Sequence, residues 1–334
     1  MEGGQIEGGQ IGEVLPGIYR ISVPLAGNPL RELNSYVIRG QRNLLVDTGF
    51  RTEACRKAVL EGLYCLGIQM DNTDILLTHL HADHSGNAAD LISRGGKVYI
   101  SGIDRACLTG SVVEDGTSLL HRLKTKRLEE NGISPELIRA MLRETPSRTM
   151  AADEHFTGYT SLEEGDVISV GDYKLRAVYT PGHTPGHMCF KIQGTGAMIL
   201  GDHVLFDITP NITDWPGVED SLGDYLNSLD KIAGCNVTLP LPGHRKTGDF
   251  RQRVKDLKAH HEQRLAECLE VVRRLGHARL YDITGGMSWK IRSADWDHFP
   301  PAQRWFALGE CLAHLDHLER MGEVVRCGTG WCEH

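Results

Sequence analysis

The feature that most limits what this chain can fold into is the string His79-Leu80-His81-Ala82-Asp83-His84. His79 and His81 stand two apart, the spacing at which an extended chain sends both side chains the same way. They follow an apolar run, DILLT (74–78), that reads as a strand. Asp83 and His84 come as the chain leaves that strand, so they approach a second point nearby. Imidazole and carboxylate are donors that zinc favours. By itself the string also fits a surface cluster of histidines. Three further residues narrow the reading. His183 lies in TPGHTPGH (180–187), Asp202 ends the apolar strand AMILGD (197–202) and His244 closes LPLPGH (239–244). Each directly follows or ends a strand, where loops held by a rigid sheet carry functional groups.

Strands read at 18–23, 34–39, 43–47, 97–100, 166–170, 173–180, 188–192, 197–202 and 236–241, with helices at 52–66, 86–94 and 222–232. Their alternation predicts a layered α/β architecture. Segments 117–130 and 135–144 carry helical periodicity within a stretch, 104–154, that reads as an inserted lid. Beyond Asp249 the pattern turns helical (250–275, 278–284, 301–321) and ends in a short EVVRC strand.

Taken together, LLVDTG (44–49), THLHADHSG (78–86), TPGHTPGH (180–187), LGDHV (200–204) and LPGH (241–244) resemble the motif series of the metallo-β-lactamase superfamily, more closely its glyoxalase II-like hydrolase branch. The resemblance covers roughly residues 14–250. It implies an α/β fold of the αββα sandwich type, two mixed sheets between helices, with the helical insertion and a small, mostly helical C-terminal domain added. It implies a first metal on His79, His81 and His183, a second on Asp83, His84 and His244, and Asp202 bridging both. Asp47 matches the carboxylate that orients the site, and His187 the trailing histidine that is not itself a ligand. The implied domains are a flexible segment 1–13, a hydrolase domain 14–248 and a winged-helix-like domain 249–334.

Two divalent ions about 3.5–4 Å apart share a water and lower its pKa towards neutrality, so hydroxide is available to attack a carbonyl. Asp83 and Asp202 are the catalytic candidates, Asp83 as the group that orients the nucleophile or takes its proton. Zinc is the default, with iron or manganese accepting the same donors. No GxSxG nucleophile elbow is present. The di-iron redox branch replaces one histidine of the string by Glu and adds a flavin domain, and this chain has neither change.

The insertion carries His121-Arg122-Leu123-Lys124-Thr125-Lys126-Arg127, from which Lys124 and Arg127 are candidates for holding phosphates or carboxylates. The alternative is a solvated helix face, since Glu129, Glu130 and Glu136 lie close by. Phe206, Ile208 and Trp215 are candidates for an apolar wall, each with core packing as the competing role, and Tyr159 and His155 are weaker candidates for substrate contact. Arg245-Lys246 after the last histidine departs from glyoxalase II, as does the lack of recognisable glutathione-binding helices, which puts glutathione thioesters in doubt.

The expectation is hydrolysis of a small thioester or ester, acyl-coenzyme A first, with a lactonase, an endoribonuclease or a non-catalytic sensor as alternatives. The net charge of −8 argues against a nucleic-acid partner. No apolar run approaches the roughly 20 residues of a membrane helix. The opening Met1-Glu2-Gly3-Gly4-Gln5 lacks the basic and apolar regions of a secretory signal. The nine cysteines form no CxxC pair and read as reduced thiols of a cytoplasmic protein. The apolar faces of the C-terminal helices suit a homodimer.

Overall fold

The structure is a computed structural model that describes residues 5–6, 9–109, 119–144, 150–153, 155–290 and 293–334. A first sheet runs in chain order through β1 (Gln5–Ile6), β2 (Gly9–Leu15), β3 (Ile18–Pro24), β4 (Glu32–Ile38), β5 (Asn43–Val46), β6 (Thr73–Leu76), β7 (Val98–Ser101) and β8 (Tyr159–Leu162). Its pairs are antiparallel up to β5 and parallel from β5 to β8. The second sheet has the order β13 (Leu239–Pro242), β12 (Ala197–Gly201), β11 (Met188–Ile192), β10 (Tyr173–Tyr179), β9 (Val167–Val170). Only β12–β13 is parallel there.

Hydrophobic alternation decides how these sheets stack. Ile18, Tyr36, Ile38, Leu44, Val46 and Leu76 from the first sheet meet Leu175, Met188, Phe190, Ile192, Ile199 and Leu241 from the second. The residues between them point outwards and are also apolar, so both outer faces need cover. Helix α1 (Glu53–Cys65), capped by the Thr52 hydroxyl, covers the first sheet through Cys55, Ala58, Val59 and Leu63. Helices α7 (Ser221–Ala233) and α8 (Phe250–Leu275) cover the second, through Leu222, Tyr225, Leu229, Ile232, Phe250, Val254 and Leu257. The αββα sandwich follows.

Several local expectations change. The predicted helix 86–94 is two short turns, α2 (Ala82–Ser85) and α3 (Ala88–Leu91), because the first turn starts earlier, within the histidine string. Of the segment 1–13, expected to be flexible, the described residues 5–6 and 9–13 lie in strands β1 and β2, since the ladders need only backbone groups and Ile11 packs on the first sheet's outer cluster. Strand β8, unpredicted, extends the parallel half of the sheet.

The insertion supplies α4 (Gly102–Leu108), α5 (Leu119–Glu130) and α6 (Pro135–Glu144). The C-terminal region supplies the rest of α8, β14 (Ala278–Arg279), α9 (Leu280–Gly286), α10 (Pro301–Arg320), β15 (Val324–Cys327) and β16 (Gly330–Glu333), with a small sheet ordered β14-β16-β15. These two regions share one core. Leu128, Ile133, Ile138 and Met141 of the insertion pack in a single cluster with Val271, Leu308, Leu312, Leu315 and Trp331. Arg127 of α5 ties the pair together through Asp316 of α10 at 2.6 Å. No helix among the described residues is long and apolar enough to cross a membrane.

Truncating a fully buried leucine costs about 2–5 kcal/mol. Leu312→Ala in α10 and Leu128→Ala in α5 are therefore expected to lower the same calorimetric transition. Two transitions, each moved by only one of the variants, would contradict the shared core.

Candidate metal centre

The site lies where the two sheets meet. Asn34 N–H of β4 donates to the Gly243 carbonyl at 2.7 Å, and Met188 N–H of β11 donates to the Thr78 carbonyl at 3.0 Å. These bonds bring together the chain beyond β6, β10, β12 and β13, and so His79, His81, Asp83, His84, His183, Asp202 and His244. The seven predicted donors fall into interlocking groups: His79–His81–His183, His79–His84–Asp202 and Asp83–His84–His244, with the donor atoms of each within 4.8 Å of one another.

In the first group His79 Nε2 lies 3.1 Å from His81 Nδ1, which lies 2.9 Å from His183 Nε2. A single ring nitrogen cannot make two good hydrogen bonds in the ring plane, so His81 Nδ1 between two others is better explained by a shared cation. Tetrahedral zinc with bonds of about 2.0–2.1 Å sets nitrogens a little over 3 Å apart. In the second group His84 Nε2 and His244 Nε2 are 3.1 Å apart, and Asp83 Oδ2 is 3.3 Å from His244 Nε2. Asp202 faces both. Its Oδ1 lies 3.4 Å from His84 and 3.3 Å from His244, and its Oδ2 lies 3.7 Å from His183. That Oδ1 is buried without a hydrogen-bond partner among the described residues. A buried carboxylate oxygen approached only by the His84 and His244 rings needs positive charge beside it, carried by those rings or by a metal ion. The donor set thus fits divalent metal ions.

The electrostatics agree. Burial, with the neighbouring histidines adding to it, holds His79 and His81 well below the usual imidazole range; burial also lowers His183. All three are neutral, as ligands must be. Burial opposes charge on His84 and His244 as well, but the carboxylates around them, Asp202 and Asp83 with Asp47 added at His84, together outweigh it. His84 is raised well above its ordinary value and His244 to about 10. For Asp83 burial is likewise outweighed, by the His84 and His244 charges, which bring its carboxyl down to about 2. The carboxylates on this side thus favour positive charge at His84 and His244, the charge that a cation between these donors would supply.

The supporting residues fix ring orientation. Asp47 accepts from Thr78 N–H at 2.9 Å and its hydroxyl at 2.8 Å, and its Oδ2 is 2.8 Å from His84 Nδ1. It does so from a left-handed backbone (φ 58°), a conformation that short polar residues tolerate and that clusters at functional sites. His183 Nδ1 is 2.9 Å from the Asn211 carbonyl and His244 Nδ1 is 2.7 Å from that of Glu32. His187 stays off the donor groups, with Nδ1 on the Thr180 hydroxyl at 2.9 Å and its ring 5.2 Å from that of His79. Gly201 leaves β12 at φ 49°, and a side chain there would lie 2.7 Å from His187 Nε2.

One residue escaped the sequence reading. Asp104, buried in α4, accepts from Leu80 N–H (2.9 Å), the Thr184 hydroxyl (2.7 Å) and Gly186 N–H (2.7 Å). It pins the His79–His81 loop to the His183–His187 loop. Burial raises its carboxyl to about 6. Its segment, Ser101-Gly102-Ile103-Asp104, looks like any acidic first turn, and nothing local announces partners 80 and 82 positions away.

The substrate candidates separate. Trp215 stands at the site: its ring stacks on His81 (5.9 Å between centroids, 27° between planes) and its Nε1–H donates to the His183 carbonyl at 3.2 Å. Lys124 reaches it from α5, with Nζ 3.6 Å from the centre of the Trp215 ring. Arg127 does not remain free as expected; Asp316 and Asp214 take its guanidinium, at 2.6 and 3.7 Å. Phe206 is half-buried against the outer cluster of the second sheet and the backbone at Gly248. Tyr159 is a core residue of the first sheet, edge-on to Phe156 at 4.8 Å, because it lies in β8 rather than in a loop.

The model for the Metallo-beta-lactamase superfamily matches residues 29–244. The lactamase-like protein adaB of Aspergillus niger is 28% identical over 268 residues, 78% of this chain and 66% of that protein. The lactamase-like protein nscB of Neosartorya fischeri is 27% identical over 257 residues, 74% of this chain and 60% of that protein. The chain thus spans 60–66% of these relatives' length. A metallo-beta-lactamase family protein from Thermus thermophilus superposes with a TM-score of 0.80 at 28% identity, covering 96% of this chain and 100% of that one.

Two outcomes are expected. Zinc must displace the protons on His84 and His244, so binding to the metal-free protein at neutral pH releases protons, and its apparent affinity rises as the pH climbs towards about 10. Calorimetry in buffers of different ionisation enthalpy measures this; a pH-independent affinity would count against it. Asp47→Ala is expected to weaken metal binding by about 10–100-fold in a chelator competition, and an unchanged affinity would remove its orienting role. With its family model, its sheet order and its clustered His/Asp donors in accord, the chain belongs to the metallo-β-lactamase superfamily.

Proposed function

We propose that this chain is a dinuclear metallo-hydrolase of small acyl esters or thioesters, with acyl-coenzyme A and similar thioesters first. The observation that carries the reading is Asp202, whose two oxygens face separate histidine groups. In this reading His79, His81 and His183 hold one ion, Asp83, His84 and His244 the other, and Asp202 spans them. Zinc is the first expectation. When bound, two such ions supply an activated water and polarise a carbonyl oxygen.

The chain's own residues do the rest. Asp83, a carboxylate at neutral pH beside His244, orients the attacking water and takes its proton. Asp47 keeps the His84 ring turned to the site. Trp215 walls the His81 side and excludes water from it. On the His244 side lies a cleft of about 450 Å³ lined by Ser22, Pro24, Arg31, Glu32, Asp207, Arg245 and Lys246. Arg245 is held by Asp207 at 3.4 Å, while Arg31 and Lys246 add positive charge at its rim, which suits the phosphates of a coenzyme A-like carrier.

The C-terminal elements α8, β14, α9, α10 and β15–β16 follow the order of a winged helix, and we assign residues 249–334 to such a unit. Its role in this reading is structural. Helix α10 buries Leu308, Gly309, Leu312, Leu315 and their neighbours, and Gly309 accepts from Asp214 N–H at 3.2 Å, beside Trp215. That leaves little of α10 for a nucleic-acid groove.

The zinc-loaded protein is expected to hydrolyse acyl-coenzyme A substrates faster than homoserine lactones or RNA, and His81→Ala is expected to abolish turnover. Retained turnover in His81→Ala would end the metal mechanism. Preferential cleavage of a lactone or of RNA would replace the substrate class while leaving the metal centre standing.

A further inference from the structure

Lys124 is the cation that the insertion delivers to the metal centre. Its ammonium sits over the face of Trp215, and that indole is fixed by two members of one donor group, stacked on His81 and bonded to the His183 carbonyl. The ammonium is thus 3.6 Å from the centre of a ring whose own centre is 5.9 Å from that of His81, near enough for its charge to act on that imidazole, on a platform that cannot swing without disturbing the ligands. Its helix is equally fixed. Arg127, three positions on, binds Asp316, and Leu128 is buried in the shared core.

What Lys124 lacks is an anion. An ammonium carries three donors, and a ring face satisfies at most one of them. Among the described residues no carboxylate lies within ion-pair distance of Nζ, and no acceptor is hydrogen-bonded to it. Asp214 is the nearby acid: it favours the ammonium from beyond ion-pair distance and is shared with Arg127, which approaches it at 3.7 Å. Lys124 is half-buried, so water screens it only in part. A charge held on a rigid platform, beside a reaction centre and with its local acid out of direct contact and shared with Arg127, is organised for an incoming anion. One ammonium in contact with the ligand matches a single negative charge, and Asp214 close by would repel a second, which favours a carboxylate over a doubly charged phosphate.

We propose that Lys124 is a specificity residue that receives a carboxylate on the acyl part of the substrate and so holds the scissile carbonyl towards the His79–His81–His183 group. This rests on the hydrolase reading above and adds a substrate class to it: acyl thioesters or esters with an acidic acyl chain. The carrier's phosphates would lie on the opposite, His244 side, in the cleft of Arg31 and Lys246.

The test compares S-glutaryl- and S-pentanoyl-N-acetylcysteamine, which differ in a terminal carboxylate and carry no phosphate. Zinc-loaded wild type is expected to favour the glutaryl thioester by about 10–100-fold in kcat/KM, the range of a charge-assisted hydrogen bond. In Lys124→Met, whose unbranched side chain can still lie on Trp215, that ratio is expected to fall to near one, and in Lys124→Arg to survive in part. Calorimetric binding of glutarate to the zinc-loaded protein supplies a readout apart from turnover, with Kd expected to rise about tenfold or more in Lys124→Met. Lys124→Gln repeats both measurements should the Met variant fold poorly. If neither thioester is hydrolysed, the proposed function fails and the glutarate titration still decides the role of Lys124. A glutaryl preference that persists in Lys124→Met, or a glutarate Kd that does not move, overturns the assignment.

Discussion

Seven imidazoles and carboxylates crowd one edge of this fold, nearly all of them buried, and the rest of the structure is arranged to hold them there. Packing such groups together costs desolvation and sets like against like. The close approach of His81 Nδ1 to two other ring nitrogens is unfavourable in an apo protein, and Asp202 Oδ1, without an aligned hydrogen bond among the described residues, draws positive charge to His84 and His244; cations among the donors would meet both demands. The sandwich provides the rigidity that this crowding demands. Its sheets are joined by backbone hydrogen bonds at the edge from which the donors project, so no donor depends on a loop held at one end only.

A second layer of contacts links that edge to the helical parts. Asp104 ties two ligand loops together from α4. Trp215 rests on His81 and His183, Lys124 of α5 rests on Trp215, and Arg127 of α5 is clamped by Asp316 of α10. From the other direction, Glu310 of α10 accepts from the Asn211 side chain at 3.3 Å, and the Asn211 carbonyl meets His183. The insertion and the C-terminal region are therefore a single support with one core, built against one wall of the metal centre. This gives the C-terminal unit a reason to exist that does not involve a separate partner.

The legibility of this chain follows the range of its interactions. The donors were readable because each sits at a strand end within a short motif, and both the strand periodicity and the residue types are local. The αββα layering was readable from the same strands, through the family that their motifs resemble. What escaped was long-range. Asp104 carries no local mark of its partners near 184–186, and the pairing of Gly9–Leu15 with β3 rests on backbone groups, to which a Gly-rich composition gives no clue. Arg127 and Lys124 look alike in a run of basic residues. One is consumed by Asp316, 189 positions away, and only the other meets the site. Tyr159 was misplaced because β8 is too short to announce itself.

The central claim is that these residues form one two-metal centre bridged by Asp202. Elemental analysis of the zinc-reconstituted, gel-filtered protein and of its Asp202→Ala variant tests it most directly. Two ions per chain are expected in the wild type and fewer than two in the variant. A single ion in the wild type, or two held as tightly without the Asp202 carboxylate, would contradict it.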